Sequence, residues 1–272
     1  MPSAYINMFI NNIDPTLFKF GIFEIRFYGL VYVFGFLLVY YMLYKKRDFL
    51  KIKKEQIDNL IIALFVGLIV GARIFNFLVE DPSVFYKNPL ELLMIWHGGM
   101  SFFGGLLGCF IAAYWYLNKI KVEWKKFADL IIIALTITLI FGRIANYLNS
   151  ELVGTVSNLP WCVVFSYFDN ICRHPYQIYA SLSHIVLLGI LLVVNKIKNS
   201  KQLGDGLIFG TFLIGYSALR FITDFFREES FKFLGLSSWQ YICLIILVVG
   251  LVLLIKQKAY KPSKKIDDGE KE

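Results

Sequence analysis

Histidine is nearly missing from this sequence, with three in 272 residues. The four cysteines contain no CxxC pair, and no His-rich spacing accompanies them, so neither a metal nor an organic cofactor is expected. Only seven prolines are present, and no Pro-rich or Ser-rich tract interrupts the chain. That leaves no linker, and the reading is one domain over 1–256 followed by a charged tail at 257–272. A short early apolar run with a small-residue cleavage site is also missing, so the first long apolar run is expected to be retained. Charged residues make up 18%, below the roughly 25% of ordinary soluble domains. What fills the chain instead is apolar: 57% hydrophobic and 17% aromatic.

Spanning a bilayer takes about 20 mostly apolar residues. Runs of that kind occupy 27–44, 57–79, 99–117, 128–149, 176–195, 205–226 and 238–255. The expected fold is therefore all-α, a polytopic membrane protein with about seven transmembrane helices. The net charge of +8 is unevenly placed. Nineteen of the 28 basic residues lie in the loops after the first, third and fifth runs and in the tail. Lys45, Lys46, Arg47, Lys119, Lys121, Lys196 and Lys198 are among them. Six lie on the opposite side: Lys19, Arg26, Lys87, Arg173, Arg227 and Lys232. Positive loops stay in the cytoplasm, which puts the N-terminus outside and the C-terminus inside. The charge is thus a topology signal with an affinity for anionic lipid heads, and no nucleic-acid motif accompanies it. The longest outer loop, 150–175, is long enough for a small cap, and its Cys162 and Cys172 can pair or stay free. Cys109 and Cys243 fall in spans as inert thiols. The outer segment 1–24 reads as a helix lying in the membrane interface.

Arg73, Arg143 and Arg220 fall inside or at the ends of spans, where a charge costs roughly 2.5–3.5 kcal/mol at the helix centre and less near an end. On a helix Arg143, Asn146 and either Asn149 or Ser150 share a face, and Arg220 and Asp224 stand four apart and can pair, with Arg227 extending that stripe. Guanidinium forks bind phosphate bidentately. The readings are a phospholipid head-group site or a ligand-free ion-pair scaffold, and for Arg73 also snorkelling to the interface. Arg73-Ile74-Phe75-Asn76-Phe77-Leu78 echoes Arg143-Ile144-Ala145-Asn146-Tyr147-Leu148. Gly98, Gly99, Gly104 and Gly105 surround Met100-Ser101-Phe102-Phe103 and permit close approach, by a lipid or simply by a neighbouring helix. His97 precedes them as a surface residue. Pro175 suits a helix start, where His174 can meet an anion. Tyr28 has the place of an aromatic-belt residue.

Six stretches in order, FYGLVYVFGF, GARIFNF, WHGGMSFFGGLLG, GRIANYLNSELVG, RHPYQIY and YSALRFITDFFRE, resemble the bacterial prolipoprotein diacylglyceryl transferases. That family has seven spans, an outside N-terminus and a cytoplasmic C-terminus, in the bacterial inner membrane. The resemblance implies transfer of the diacylglyceryl group of phosphatidylglycerol to the lipobox cysteine of a prolipoprotein, forming a thioether and releasing glycerol 1-phosphate. It implies Arg143 and Arg220 as the essential arginines and Tyr28 as a third catalytic candidate. Arg73, Asn146, Glu151, Gly154 and Asp224, with Gly98, Gly99 and Gly104, take substrate-binding positions. Two positions depart from the family pattern. Phe103 stands where many members have a histidine assigned to proton abstraction, and Ala180 stands where a glutamate is usual. The arginine field is then expected to matter more than a dedicated base, with His97 and Tyr28 as weaker candidates for proton transfer. The alternative is a non-catalytic membrane paralogue that binds phospholipid or other anions.

Overall fold

The computed structural model describes residues 9–20, 23–94, 98–229 and 232–258. Among these, the strands are β1 (Phe9–Asn11), β2 (Thr16–Phe20), β3 (Phe23–Arg26), β4 (Val163–Phe165), β5 (Cys172–Arg173), β6 (Lys232–Phe233) and β7 (Leu236–Ser237). The α-helices are α1 (Phe27–Lys45), α2 (Arg47–Leu50), α3 (Lys54–Phe75), α4 (Pro82–Lys87), α5 (Phe102–Lys119), α6 (Trp124–Leu148), α7 (Tyr176–Lys201), α8 (Leu207–Thr223) and α9 (Ser238–Lys258). Five stretches are long and apolar enough to cross a membrane: Lys54–Glu80, Trp124–Leu148, Tyr176–Lys201, Leu207–Phe226 and Ser238–Lys256. Gly29–Lys45 is apolar but shorter, and α5 is not among the five. In α5 the run Tyr114-Trp115-Tyr116 and the closing Asn118-Lys119 lower the hydropathy that its first half supplies. Large apolar side chains such as Leu37, Ile62, Leu182 and Val248 stand outward, as helices in lipid require and helices in water avoid.

The chain divides into two compact units. The first comprises residues 40–127. Its centre is a glycine seam between α3 and α5. A Cβ at Gly108 would overlap the Gly67 carbonyl oxygen, and one at Gly104 would overlap the carbonyl of Gly71. Without a hydrophobic drive between helices in lipid, such backbone approach is what packs them. Past Phe75 the helix loosens into a π-helical stretch, Asn76–Glu80. Glu80 accepts from the Ser101 hydroxyl at 2.5 Å, while that hydroxyl accepts from the Gly104 amide and caps α5.

Residues 1–39 and 128–272 make the second unit. Strand β4 is central to a three-stranded sheet, parallel to β1 and antiparallel to β5. A Cys162–Cys172 disulfide joins the latter pair. Beneath it Val153, Val163 and Phe165 form a small core against Tyr147. Of the interfacial helix expected over 1–24, residues 1–8 and 21–22 lie outside the described residues, and the others form strands instead: residues 9–11 pair with β4, and β2 and β3 make an antiparallel hairpin. Asn11, Asn12, Asp14 and Pro15 favour a turn over a helix, and Asp14 accepts from the Thr16 amide at 2.8 Å. At the other end of the spans, Asp129 on α6 accepts from Lys198 Nζ at 2.6 Å and from the Gly206 and Phe209 amides at 2.8 Å each. A loop lysine counted for topology is therefore a buried tie, and the same carboxylate caps the start of α8.

The glycine seam is testable. Gly108→Val is expected to destabilise the protein by about 2 kcal/mol or more. Thermal unfolding in detergent should show a lowered midpoint. An unchanged midpoint would mean the helices are not packed this closely.

Candidate active site

The residues singled out from sequence fall into two groups, one in each unit. In residues 40–127, Arg73 is 3% exposed and completely engaged. Its Nε donates to the Leu92 carbonyl at 3.1 Å, Nη1 to the carbonyls of Gly98 and Gly99, and Nη2 to those of Glu91 and Met94. A guanidinium has five N–H donors, and five carbonyls accept them. Phe77 lies beneath the plane at 4.6 Å. Arg73 therefore organises the loop that leads to α5 and keeps no donor for a phosphate. Gly98 and Gly99 belong to this clamp, because both have left-handed backbone with φ of 81° and 71° that turns their carbonyls to Arg73. Gly104 belongs to the helix seam. Phe103 stacks edge-on against Phe102 at 5.9 Å. His97 lies outside the described residues. Tyr28 sits in the first turn of α1, and its side chain also lies outside them.

The second unit gathers the remaining candidates. On the last turns of α6, Arg143 Nη1 reaches Asn146 Oδ1 at 3.5 Å, and Asn146 Nδ2 donates to Glu151 Oε2 at 3.0 Å. Asn149 donates to the other Glu151 oxygen at 3.2 Å. The chain leaves the helix through left-handed Ser150 and Leu152, which folds Glu151 back over Asn146. Among the described residues that long contact to Asn146 is the one hydrogen bond Arg143 makes, so a half-buried guanidinium keeps most of its donors. Gly154 has a backbone duty. It bridges Arg227 in an antiparallel pair, and a Cβ there would overlap the His174 carbonyl.

On α8, Arg220 pairs with Asp224 at 3.5 Å, as the four-residue spacing predicts. Asp224 also accepts from the Ser237 hydroxyl and stands 4.0 Å from Arg227, whose own closer partner is Glu229 at 2.8 Å. Trp239 lies under both guanidiniums, 5.3 Å from Arg220 and 6.0 Å from Arg227. Arg220 and Arg143 share neighbours: both exert their charge on Tyr176 and His184 of α7.

Arg173, Tyr176 and Gln177 fall within the stretch RHPYQIY singled out from sequence but were given no role there, and His184 and Trp239 were not marked. Gln177 is fully buried and donates to the Glu151 carbonyl at 2.6 Å, tying the start of α7 to the end of α6. Arg173 is buried between Asp169 at 2.6 Å and Glu228 at 3.2 Å, and also donates to the Gly154 carbonyl. Its hydrogen bond holds the Asp169 carboxyl below the usual range. His174 does not wait for an anion: it contacts the Tyr179 hydroxyl at 3.2 Å and packs against Phe226, and burial lowers its pKa. No cluster of three or more His, Cys, Asp or Glu among the described residues is arranged to hold a metal ion.

A family model described as prolipoprotein diacylglyceryl transferase matches residues 15–256. A relative from Polynucleobacter asymbioticus is 36% identical over 251 residues, covering 89% of this chain and 95% of its own. One from Vibrio cholerae is 35% identical over 263 residues, 94% of each chain. One from Geobacter sulfurreducens is 34% identical over 252 residues, 90% of this chain and 95% of its own. All three are named phosphatidylglycerol–prolipoprotein diacylglyceryl transferase. The chain belongs to the prolipoprotein diacylglyceryl transferase family.

If Arg73 is a clamp, Arg73→Lys cannot replace it, since an ammonium has three donors for five carbonyls. The variant should unfold earlier, by about 2 kcal/mol or more, with phosphatidylglycerol affinity per folded molecule unchanged; weakened lipid binding at unchanged stability would instead make Arg73 a lipid contact. The outer cap should also be acid-sensitive. Asp169 titrates lower folded than unfolded, so its contribution is complete above the ordinary carboxylate pKa of about 4 and fades as pH falls through the folded value. Protection of residues 163–173 against hydrogen exchange, corrected for the intrinsic rate, should fall on acidification in the wild type, and Asp169→Asn should flatten that dependence.

Proposed function

We propose that this chain transfers the diacylglyceryl group of phosphatidylglycerol to the thiol of a lipobox cysteine in prolipoprotein signal peptides, releasing glycerol 1-phosphate. Membership of the family supports the reaction. The observation that carries the site is Arg143: a guanidinium on a spanning helix with one long hydrogen bond among the described residues, whose charge reaches the same Tyr176 and His184 as that of Arg220, itself oriented by Asp224 and Trp239. The reaction is displacement at a glycerol carbon. A sulfur–carbon bond forms, the carbon–oxygen bond to phosphate breaks, and the phosphate monoester leaves with its added charge. Arg143 and Arg220 hold the phosphate and neutralise that charge as it develops. Asn146, Glu151 and Asp224 position the two arginines, Gly154 the cap above them, and Tyr28 is a proton-transfer candidate.

Phe103 supplies no base in this chain. A thiol of pKa near 8.5 is already a few per cent ionised at neutral pH, and nearby cations lower it further. The thiol proton leaves to the outer aqueous phase, and the arginine field serves both nucleophile and leaving group. The proposed setting is the bacterial inner membrane with seven spans, α1 and α5 completing the five longer stretches. The basic loops support an outside N-terminus and a cytoplasmic C-terminus. One domain covers 1–256, with the cap 150–175 on the outer face.

Phe103 and Ala180 favour a second reading, a paralogue that binds phosphatidylglycerol without turning it over. Purified protein with phosphatidylglycerol and a lipobox peptide distinguishes them. Glycerol 1-phosphate release is expected, falling about 10²–10³-fold in Arg143→Ala. Folded, lipid-binding protein that releases none would establish the second reading.

A further inference from the structure

Among the described residues, helix α7 carries three buried polar atoms without a hydrogen-bond partner, on Tyr176, Gln177 and His184, and the first and last of these share a face. Tyr176 is completely buried, yet its hydroxyl has no hydrogen-bond partner. His184 is 3% exposed, and its Nδ1 likewise has none. Unpaired polar atoms in such places are rare and call for an explanation. Positions 176, 180 and 184 stand four apart and lie on one face of the helix, with the buried Ala180 between. Both side chains lie in the field of Arg143 and Arg220 together. The His184 ring is fixed, stacked parallel to Tyr216 with centroids 5.7 Å apart. The guanidinium of Arg227 stands 5.9 Å from the Tyr176 ring.

Depth orders these groups. The outer ends of α6, α7 and α8 are tied together by the Gln177 bond to the Glu151 carbonyl and the Thr155 amide bond to the Phe226 carbonyl. A helix rises about 1.5 Å per residue. Counted from those ends, Tyr176 is at the surface, Arg220 is about 5 Å in, Arg143 about 8 Å in and His184 about 12 Å in. A phospholipid standing in the outer leaflet presents the same order: head-group hydroxyls, then phosphate, then the ester carbonyls of its glycerol backbone.

We propose that Tyr176 and His184 extend the arginine pair into a three-level phospholipid site, Tyr176 bonding a hydroxyl of the head group and His184 Nδ1 donating to an ester carbonyl. The assignment rests on the arginine pair holding the phosphate, as above, and adds what the arginines cannot supply. Two guanidiniums attract any phosphate, whereas a hydroxyl partner above and a carbonyl partner below distinguish a diacyl phosphatidylglycerol from other anions.

The test compares diacyl phosphatidylglycerol with its dialkyl ether analogue, which lacks the carbonyls, in detergent. Kd and turnover with a lipobox peptide are measured on the same samples of wild type, Tyr176→Phe and His184→Phe. Tyr176→Phe should raise Kd and KM for both lipids by roughly 3- to 10-fold, the worth of one hydrogen bond, and lower kcat less. The wild type should prefer the ester lipid by a similar factor, and His184→Phe should erase that preference while keeping the stacked ring. Unchanged Kd in both variants would overturn the assignment, and a raised melting temperature beside it would mark the two atoms as packing defects. Should His184→Phe fail to fold, Tyr176→Phe, which removes one oxygen, decides alone. Wild-type turnover separately tests the transferase reading, because the Kd comparison stands with or without it.

Discussion

A cation inside a bilayer must find partners within the protein, and much of this structure is arranged around where its arginines find them. Where water is absent, each guanidinium N–H left without an acceptor is costly, so an arginine in a span either is saturated by the chain or faces something that is not the chain. Arg73 takes the first course, with five carbonyls around five donors. Arg220 is intermediate, oriented by one carboxylate and one indole. Arg143 takes the second: among the described residues it makes a single long bond, to Asn146. The arginine with the fewest partners there is the one we propose for the phosphate, with its neighbours holding it ready rather than neutralising it.

The small sheet of β1, β4 and β5, with the segment beside it, is what keeps that arrangement in register. The strand-like segment 153–157 runs between the backbone after α8 and the backbone before α7, bridging Arg227 on one side and Arg173 on the other. Gly154 is at the closest approach, where any side chain would collide with both neighbours. Arg173 cross-links the same three segments through Asp169, Glu228 and the Gly154 carbonyl. The disulfide staples β4 to β5 immediately beside it. Charge pairs near the surface contribute little singly, but here one buried arginine ties two partly exposed carboxylates to a backbone carbonyl, and the geometry of that tie matters more than its energy.

Glycine plays two unrelated parts. In the seam between α3 and α5 it is the absence of a Cβ that counts, because the helix backbones touch. At Gly98 and Gly99 it is the left-handed backbone, which aims two carbonyls inward at one guanidinium. A sequence shows the same letter in both places. Of the glycines read as open to a lipid or to a neighbouring helix, Gly104 lies in the helix joint and Gly98 and Gly99 turn their carbonyls to Arg73.

The helical, membrane-spanning character and the pairing of Arg220 with Asp224 were legible in the sequence alone, because both follow from local composition and spacing: long apolar runs and a four-residue separation on a helix. The motif order that identifies the family was equally legible. The sequence could not separate Arg73 from Arg143, which sit in echoing hexapeptides, because the difference lies in carbonyls 18 to 26 residues away that only the folded loop brings round. Nor could it show that residues 9–11 join a sheet with 163–165, since that pairing is made across more than 150 residues. Tyr176, within a motif but without a role, and His184, an ordinary residue of an apolar helix, stayed unassigned for the same reason: a missing hydrogen bond is a property of the surroundings, and the surroundings exist only once the helices have packed.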